Sequence, residues 1–222
     1  MKIVALLPMK ANSERVTGKN FRMLGSKPLF KHILDTLLSV DEIDEVIINT
    51  DARSILKENG LVDGGRVTIR DRPNELCGDF VSMNSILEND MNQVDADVYI
   101  MTHTTNPLIR AESIKKGLEL ISSNASCDSV FSVNRVQTRF YRDDGSAVNH
   151  DPNNLIRTQD LEPWFEENSC LYYFTKQSFG QTNARIGRRP EMMETPQLES
   201  LDIDEPADWD MVEALVLSGK LN

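Results

Sequence analysis

Cysteine is scarce. The 222 residues hold three, Cys77, Cys127 and Cys170. An odd count at wide spacing suggests neither a disulfide framework nor a zinc site. Reduced thiols fit a cytoplasmic home. Long apolar runs are also missing. The run that follows Met1 is far too short for a signal peptide or a membrane span, so no membrane partner is expected. Positive charge is in deficit, with 24 Lys and Arg against 35 Asp and Glu and a formal net charge of −11. A general nucleic-acid binder needs a basic face to displace counterions, so no nucleic-acid partner is expected. An anionic small substrate stays open, provided that positive charge is concentrated locally.

It is. From Met1 to Lys31 stand Lys2, Lys10, Arg15, Lys19, Arg22, Lys27 and Lys31 against the single acid Glu14. From Glu191 to Glu213 nine acids stand without one Lys or Arg. Either run alone is better read as a solvated face. Together, in a chain sized for one domain over residues 1–222, they suggest a phosphate cradle and a metal site.

Lys2 to Leu7 is a continuous apolar run, as in a strand buried on both faces. Further strands are expected at Glu45–Thr50, Arg66–Arg70, Asp97–Met101, Ser129–Val133, Leu171–Phe174 and Leu201–Ile203. Helices are expected at Leu29–Val40, Asp51–Asn59, Phe80–Met91, Glu112–Asn124 and Glu205–Ser218. This alternation predicts an α/β fold: a Rossmann-like, mostly parallel sheet with helices on both faces. Ligands on such sheets sit at the carboxyl ends of the strands. Between 137 and 165 the rhythm breaks into a β-rich excursion, with a hairpin tip at Asp143-Asp144-Gly145-Ser146.

Two constellations carry chemistry. Pro8 to Asn20 takes the first strand into a polar loop with Lys10, Asn12, Ser13, Arg15 and Lys19. Its backbone N–H groups and cations can wrap a triphosphate. It is neither a Walker loop nor a dinucleotide fingerprint. The second is Asp202-Ile203-Asp204. Residues i and i+2 of a strand share a face, and two carboxylates there repel unless a cation or water intervenes. By itself this pattern reads better as a polar strand edge with Asp204 capping the next helix.

Taken together, these motifs resemble the acylneuraminate cytidylyltransferases (CMP-sialic acid synthetases). Pro8-Met9-Lys10, Ser13 and Lys19-Asn20 are similar to that family's opening. Arg72-Pro73-Asn74-Glu75-Leu76, Thr104-Thr105-Asn106-Pro107-Leu108, Arg157-Thr158-Gln159 and Ser200-Leu201-Asp202-Ile203-Asp204 follow in the family's order. The resemblance implies transfer of CMP from CTP to the anomeric hydroxyl of an acidic 2-keto-3-deoxy sugar, releasing pyrophosphate. It implies Mg²⁺ on Asp202 and Asp204, and Lys10, Lys19, Asp202 and Asp204 as catalytic residues. The nucleotide set would be Pro8, Lys10, Asn12, Ser13, Arg15, Lys19, Asn20, Arg72, Ser82 and His103. His103 reads equally well as a satisfied polar residue at a strand end. The sugar set would be Thr104, Asn106, Arg157, Gln159, Asn168 and Tyr172.

The resemblance also implies a homodimer through the excursion, where Phe140, Tyr141, Trp164 and Phe165 would otherwise form an apolar patch. Simple packing onto the same chain is the alternative. Two departures stand out. Lys10 replaces an arginine, which keeps charge but loses the bidentate fork. Glu166-Glu167-Asn168-Ser169 stands where the family has Arg-Pro-Asn-Gly, so either Arg157 or another cation meets the sugar carboxylate, or the sugar differs. A Kdo-type or other sugar cytidylyltransferase, a DxD glycosyltransferase and a non-catalytic nucleotide-binding homologue are the competing readings.

Overall fold

A computed structural model describes residues 1–13 and 15–219. The elements, in chain order, are β1 (Ile3–Leu6), β2 (Met23–Leu24), β3 (Lys27–Pro28), α1 (Leu29–Ser39), β4 (Glu45–Thr50), α2 (Arg53–Glu58), β5 (Val67–Asp71), α3 (Met83–Met91), β6 (Val98–Thr102), α4 (Ala111–Ser123), β7 (Ser129–Val136), β8 (Trp164–Phe174), α5 (Lys176–Thr182), β9 (Pro190–Glu194) and α6 (Pro206–Leu217).

The central sheet has the order β5-β4-β1-β6-β8-β7-β9. Pairings among β5, β4, β1 and β6 are parallel, as is β7 with β9; β8 alone runs antiparallel to its neighbours. The alternation within β1 shows why its sequence is apolar throughout. Ile3 and Ala5 point into one core cluster with Phe30, Ile33 and Leu37 of α1 and Ile114 of α4. Val4 and Leu6 point into the opposite cluster with Leu87 and Met91 of α3 and Phe179 of α5. Each fully buried Leu or Ile of this strand contributes roughly 1.5–3 kcal/mol relative to exposure. A third cluster joins α6 (Trp209, Val212) to Leu24, Leu29 and Leu108, and so fastens the end of the chain beside the loop after β1.

Three local expectations are corrected. Leu201–Ile203 forms no strand; a single backbone bond, Ile203 N–H to Thr105 O at 2.9 Å, docks it beside the loop after β6. Helix α3 starts at Met83 rather than Phe80, because Ser82 caps it by accepting from the Asn84 N–H. The expected strand at 171–174 is the inner end of the longer β8, and β9 was not foreseen at all. The β-rich excursion is corrected too: β7 ends at Val136 and β8 begins at Trp164, and between them the chain is loops and turns, with one bridge, Tyr141 to Ala147, around the expected turn and a 3-10 turn over Thr158–Asp160.

Candidate functional site

A cavity of about 480 Å³ opens where the loops after β1, β5 and β6 meet. This is the carboxyl end of the parallel strands, beside the point where the chain switches from building outward through β4 to building through β6. Met9 continues β1 as a bridge to Thr50, with its N–H on Asn49 O at 3.0 Å. The loop then swings out and returns. Gly18, at φ 62°, supplies the left-handed residue that opens a 3-10 turn over Lys19–Phe21. Buried Asn20 closes the loop: its amide donates to Lys10 O at 2.8 Å, and its carbonyl accepts from the Thr104 hydroxyl at 2.6 Å. Asn20 thus ties both ends of the basic loop to the loop after β6.

That closure carries Lys19 into the cavity floor, 7% exposed, where Nζ donates to Ile203 O at 2.5 Å and lies 3.4 Å from Asp204 Oδ1. Arg15 reaches Asp204 at 2.9 Å and Glu205 at 3.1 Å, and Lys10 pairs with Asp79. Buried Ile203 splits the two aspartates, and both line the cavity. The same-side geometry expected of a strand survives without the strand. The cap of α6 is Glu205, in a reciprocal box with Asp208, not Asp204. Asp204 is therefore left to face the cations.

Asp202 is the strained member. Burial raises its pKa, and the neighbouring Asp204 charge adds to that, against a side-chain hydrogen bond with Thr105. Its Oδ1 is buried with no hydrogen-bond partner, a cost native proteins seldom accept without a purpose. Hard oxygen donors in this number suit Mg²⁺, which takes one or two carboxylates and completes its shell with phosphates and water. Among the described residues no group of three or more His, Cys, Asp or Glu offers an all-protein metal cage. Asp202 and Asp204 fit the magnesium-and-phosphate arrangement.

At the opposite wall Arg72 is fixed from behind. Its Nε donates to Asn49 Oδ1 at 2.8 Å, and its Nη2 donates to Asn49 O at 2.8 Å and Met9 O at 3.1 Å. Asn49 in turn donates to Asp90 at 2.9 Å. Asp90 is wholly buried and its pKa is pushed up to about 6 by burial, with Asn49 and Arg70 pulling the other way. His103, half-buried at the end of β6, is driven down to about 4 by burial and then by the Arg185 charge. It is neutral at neutral pH and can exchange hydrogen bonds without adding charge.

The cavity therefore gathers Pro8, Lys10, Ser13, Arg15, Lys19, Asn20, Arg72, His103, Thr104, Asp202 and Asp204. It does not gather the rest. Asn12 is exposed off the wall, and Ser82 caps α3 in a neighbouring cavity. Asn106 is buried, its amide 3.4 Å from Leu201 O. Asn168 is spent on Ser132, Asn134 and Thr195. Tyr172 lies under Arg185 and bonds Glu167 and Ser169. Arg157 and Gln159 are exposed, with Arg157 committed to Asp160 at 2.7 and 3.0 Å. Three polar lining residues were missed, Asp79, Thr105 and Ser169, along with the apolar wall of Val81, Met83 and Ile86. Ser169 had a signal. It occupies the resemblance's glycine position and adopts φ 59°, a left-handed conformation that glycine takes without strain.

A family model described as Cytidylyltransferase matches residues 4–215. CMP-N,N'-diacetyllegionaminic acid synthase of Legionella pneumophila is 26% identical, with 97% of each chain covered. N-acylneuraminate cytidylyltransferase of Streptococcus agalactiae is 24% identical over 94% of this chain, which spans about half (52%) of that relative. The solved structure of CMP:2-keto-3-deoxy-manno-octonic acid synthetase complexed with CTP superposes with a TM-score of 0.69 over 98% of this chain and 99% of that one. At 18% identity that likeness speaks for the fold alone.

Proposed function

The chain belongs to the cytidylyltransferase family, and from that premise we propose that it transfers CMP from CTP to the anomeric hydroxyl of an acidic 2-keto-3-deoxy sugar of the nonulosonic type. The observation that carries this reading is the opposition of charge in one cavity: Lys10, Arg15 and Lys19 on the loop after β1, and Asp202 with its orphaned oxygen beside Asp204. Cations suit a triphosphate, and the acids suit the magnesium that travels with it.

In this reading the protein's contribution is positioning and neutralisation. Lys10 and Lys19, with Arg15, hold the triphosphate and offset the charge that gathers on departing pyrophosphate. Lys19 is already desolvated and fixed, so it needs little reorganisation when that charge develops. Arg72 and neutral His103 orient the nucleoside end. The acceptor hydroxyl attacks the α-phosphorus in line, and pyrophosphate and a proton are released. Asp202 and Asp204 would hold Mg²⁺, which polarises the phosphate oxygens. Tyr141, Trp164 and Phe165, exposed on the excursion, support a homodimer; a cytoplasmic location is proposed from the three free thiols, Cys77, Cys127 and Cys170. Phe140 is half-buried against Trp164, with ring centroids 5.3 Å apart, so it contributes less to that surface than its sequence position suggested.

The test is pyrophosphate release with CTP, Mg²⁺ and sialic, legionaminic, pseudaminic and Kdo acids in turn. Turnover with one of them, lost on chelation and in Asp204→Ala, is expected. Silence with the whole panel, repeated with UTP, ATP and GTP, would overturn the reading.

A further inference from the structure

If the acceptor is an acid, as the proposed function has it, its carboxylate needs a cation, and within one chain neither position suggested by sequence offers an unpaired one. Glu166 stands in the strand segment before Asn168, and Arg157 is exposed and paired with Asp160. Arg185, in the loop between α5 and β9, is differently placed. Its guanidinium lies over the Tyr172 ring, with Cζ 4.0 Å from the centroid. It donates to no oxygen among the described residues: its nearest carboxylate, Glu167, is 4.0 Å away, and its one hydrogen-bond contact is the weak acceptor Met101 Sδ at 3.9 Å. A planar fork set over an aromatic ring, with no hydrogen bond to oxygen among the described residues and only a long ion pair to Glu167, is available to a bidentate anion.

Its location fits. A second cavity, of about 280 Å³, is lined by Arg185, Ala184 and Ile186 with Ser82, Met83 and Asn84, and Met83 also lines the nucleotide cavity. The Arg185 charge reaches His103 on the main cavity's wall. Its ring support, Tyr172, bonds Ser169 on the same wall at 3.2 Å. We propose that Arg185 is the specificity-determining cation that engages the acceptor's carboxylate, in the smaller cavity that shares Met83 with the nucleotide cavity. The smaller cavity also gives Ser82 a place beside the acceptor rather than the nucleotide.

The experiment compares wild type, Arg185→Gln and Arg185→Lys in pyrophosphate release, using the preferred sugar acid and its methyl ester, with CTP varied independently. In wild type the acid outruns the ester. In Arg185→Gln the KM for the acid rises on the order of tenfold or more, as expected for a lost charged hydrogen-bond pair, while the KM for CTP holds and the preference for acid over ester collapses. Arg185→Lys, which keeps charge without the fork, falls between. A purely structural role for Arg185 would shift acid and ester together, and retention of the acid preference in Arg185→Gln overturns the assignment. Should Arg185→Gln not fold, the same ratio in Arg185→Lys decides: an unchanged preference counts against the proposal. Failure of wild type to use any sugar acid is a different result, which removes the proposed function and the Arg185 assignment with it.

Discussion

Asp202 shows how a single residue can serve function at the expense of stability. Its carboxylate is partly buried, its pKa is raised by burial and by Asp204, and Oδ1 has no partner. The ionised form is thus disfavoured in the free protein, and only a cation would repay it. Asp202→Asn keeps the shape and removes the charge. The expected outcome is opposite movement of two measurements: turnover falls by about 100-fold or more, the scale of losing one electrostatic contact in a preorganised site, while the urea midpoint at neutral pH rises. Loss of both activity and stability would mean that Asp202 is an ordinary structural acid. Lys19 is the cationic counterpart. With Nζ held by Ile203 O and only 7% of the residue exposed, Lys19→Met should cost turnover on the same order, about 100-fold, and should leave Asp204 facing Arg15 alone. Pyrophosphate release at saturating CTP reads this directly.

At the scale of elements, α4 and β8 approach closely at Gly117. Gly117 lies mid-helix, where glycine is normally unfavourable by about 1 kcal/mol relative to alanine. A Cβ there would meet ring atoms of Tyr173 at 2.2 and 2.3 Å, and Tyr173 is fully buried with its hydroxyl on Ile114 O at 3.0 Å. Gly117→Ala should therefore destabilise by roughly 1–3 kcal/mol, the cost of overpacking, despite its better helix propensity. Equilibrium denaturation checks the sign. The same contact marks how far sequence reading reaches. Periodicity located α1, β4 and α4 to within a residue because one period and one buried face dominate each. It missed α5 and β9, a seven-residue helix and a strand whose run Pro190–Glu194 is mostly polar or exposed. The first-strand loop and the paired aspartates were legible from residue type and spacing. The structural partners of Asn168 (Ser132, Asn134 and Thr195) and the cation over Tyr172 (Arg185) were not legible, because they come from segments distant in sequence that only the folded sheet brings together, and this leaves no mark on residue type.

Two titrating groups, Asp90 and His103, set opposing pH dependences for the whole molecule. Asp90 behind Arg72 is raised from 3.8 to about 6. Its folded form holds the proton more tightly than the unfolded chain, so the stability it contributes is fully present below about 4 and lost as pH rises through about 6. His103 is lowered from 6.5 to about 4. Its contribution is present above 6.5 and lost as pH falls through about 4. Each effect is on the order of 3 kcal/mol, and the two nearly cancel across the same window. Free of nucleotide and metal, the wild-type protein should show little net slope from this pair. Asp90→Asn removes the first term, so unfolding free energy should rise with pH relative to wild type between about 4 and about 6. His103→Gln removes the second, so its difference from wild type should move the other way, becoming more favourable as pH falls from 6.5 toward about 4. Urea unfolding of the three proteins across this range measures both slopes. Parallel curves for all three would mean that neither group is shifted in the folded chain. Because His103 stays neutral through the physiological range, wild-type kcat/KM for CTP should also show no inflection near 6.5.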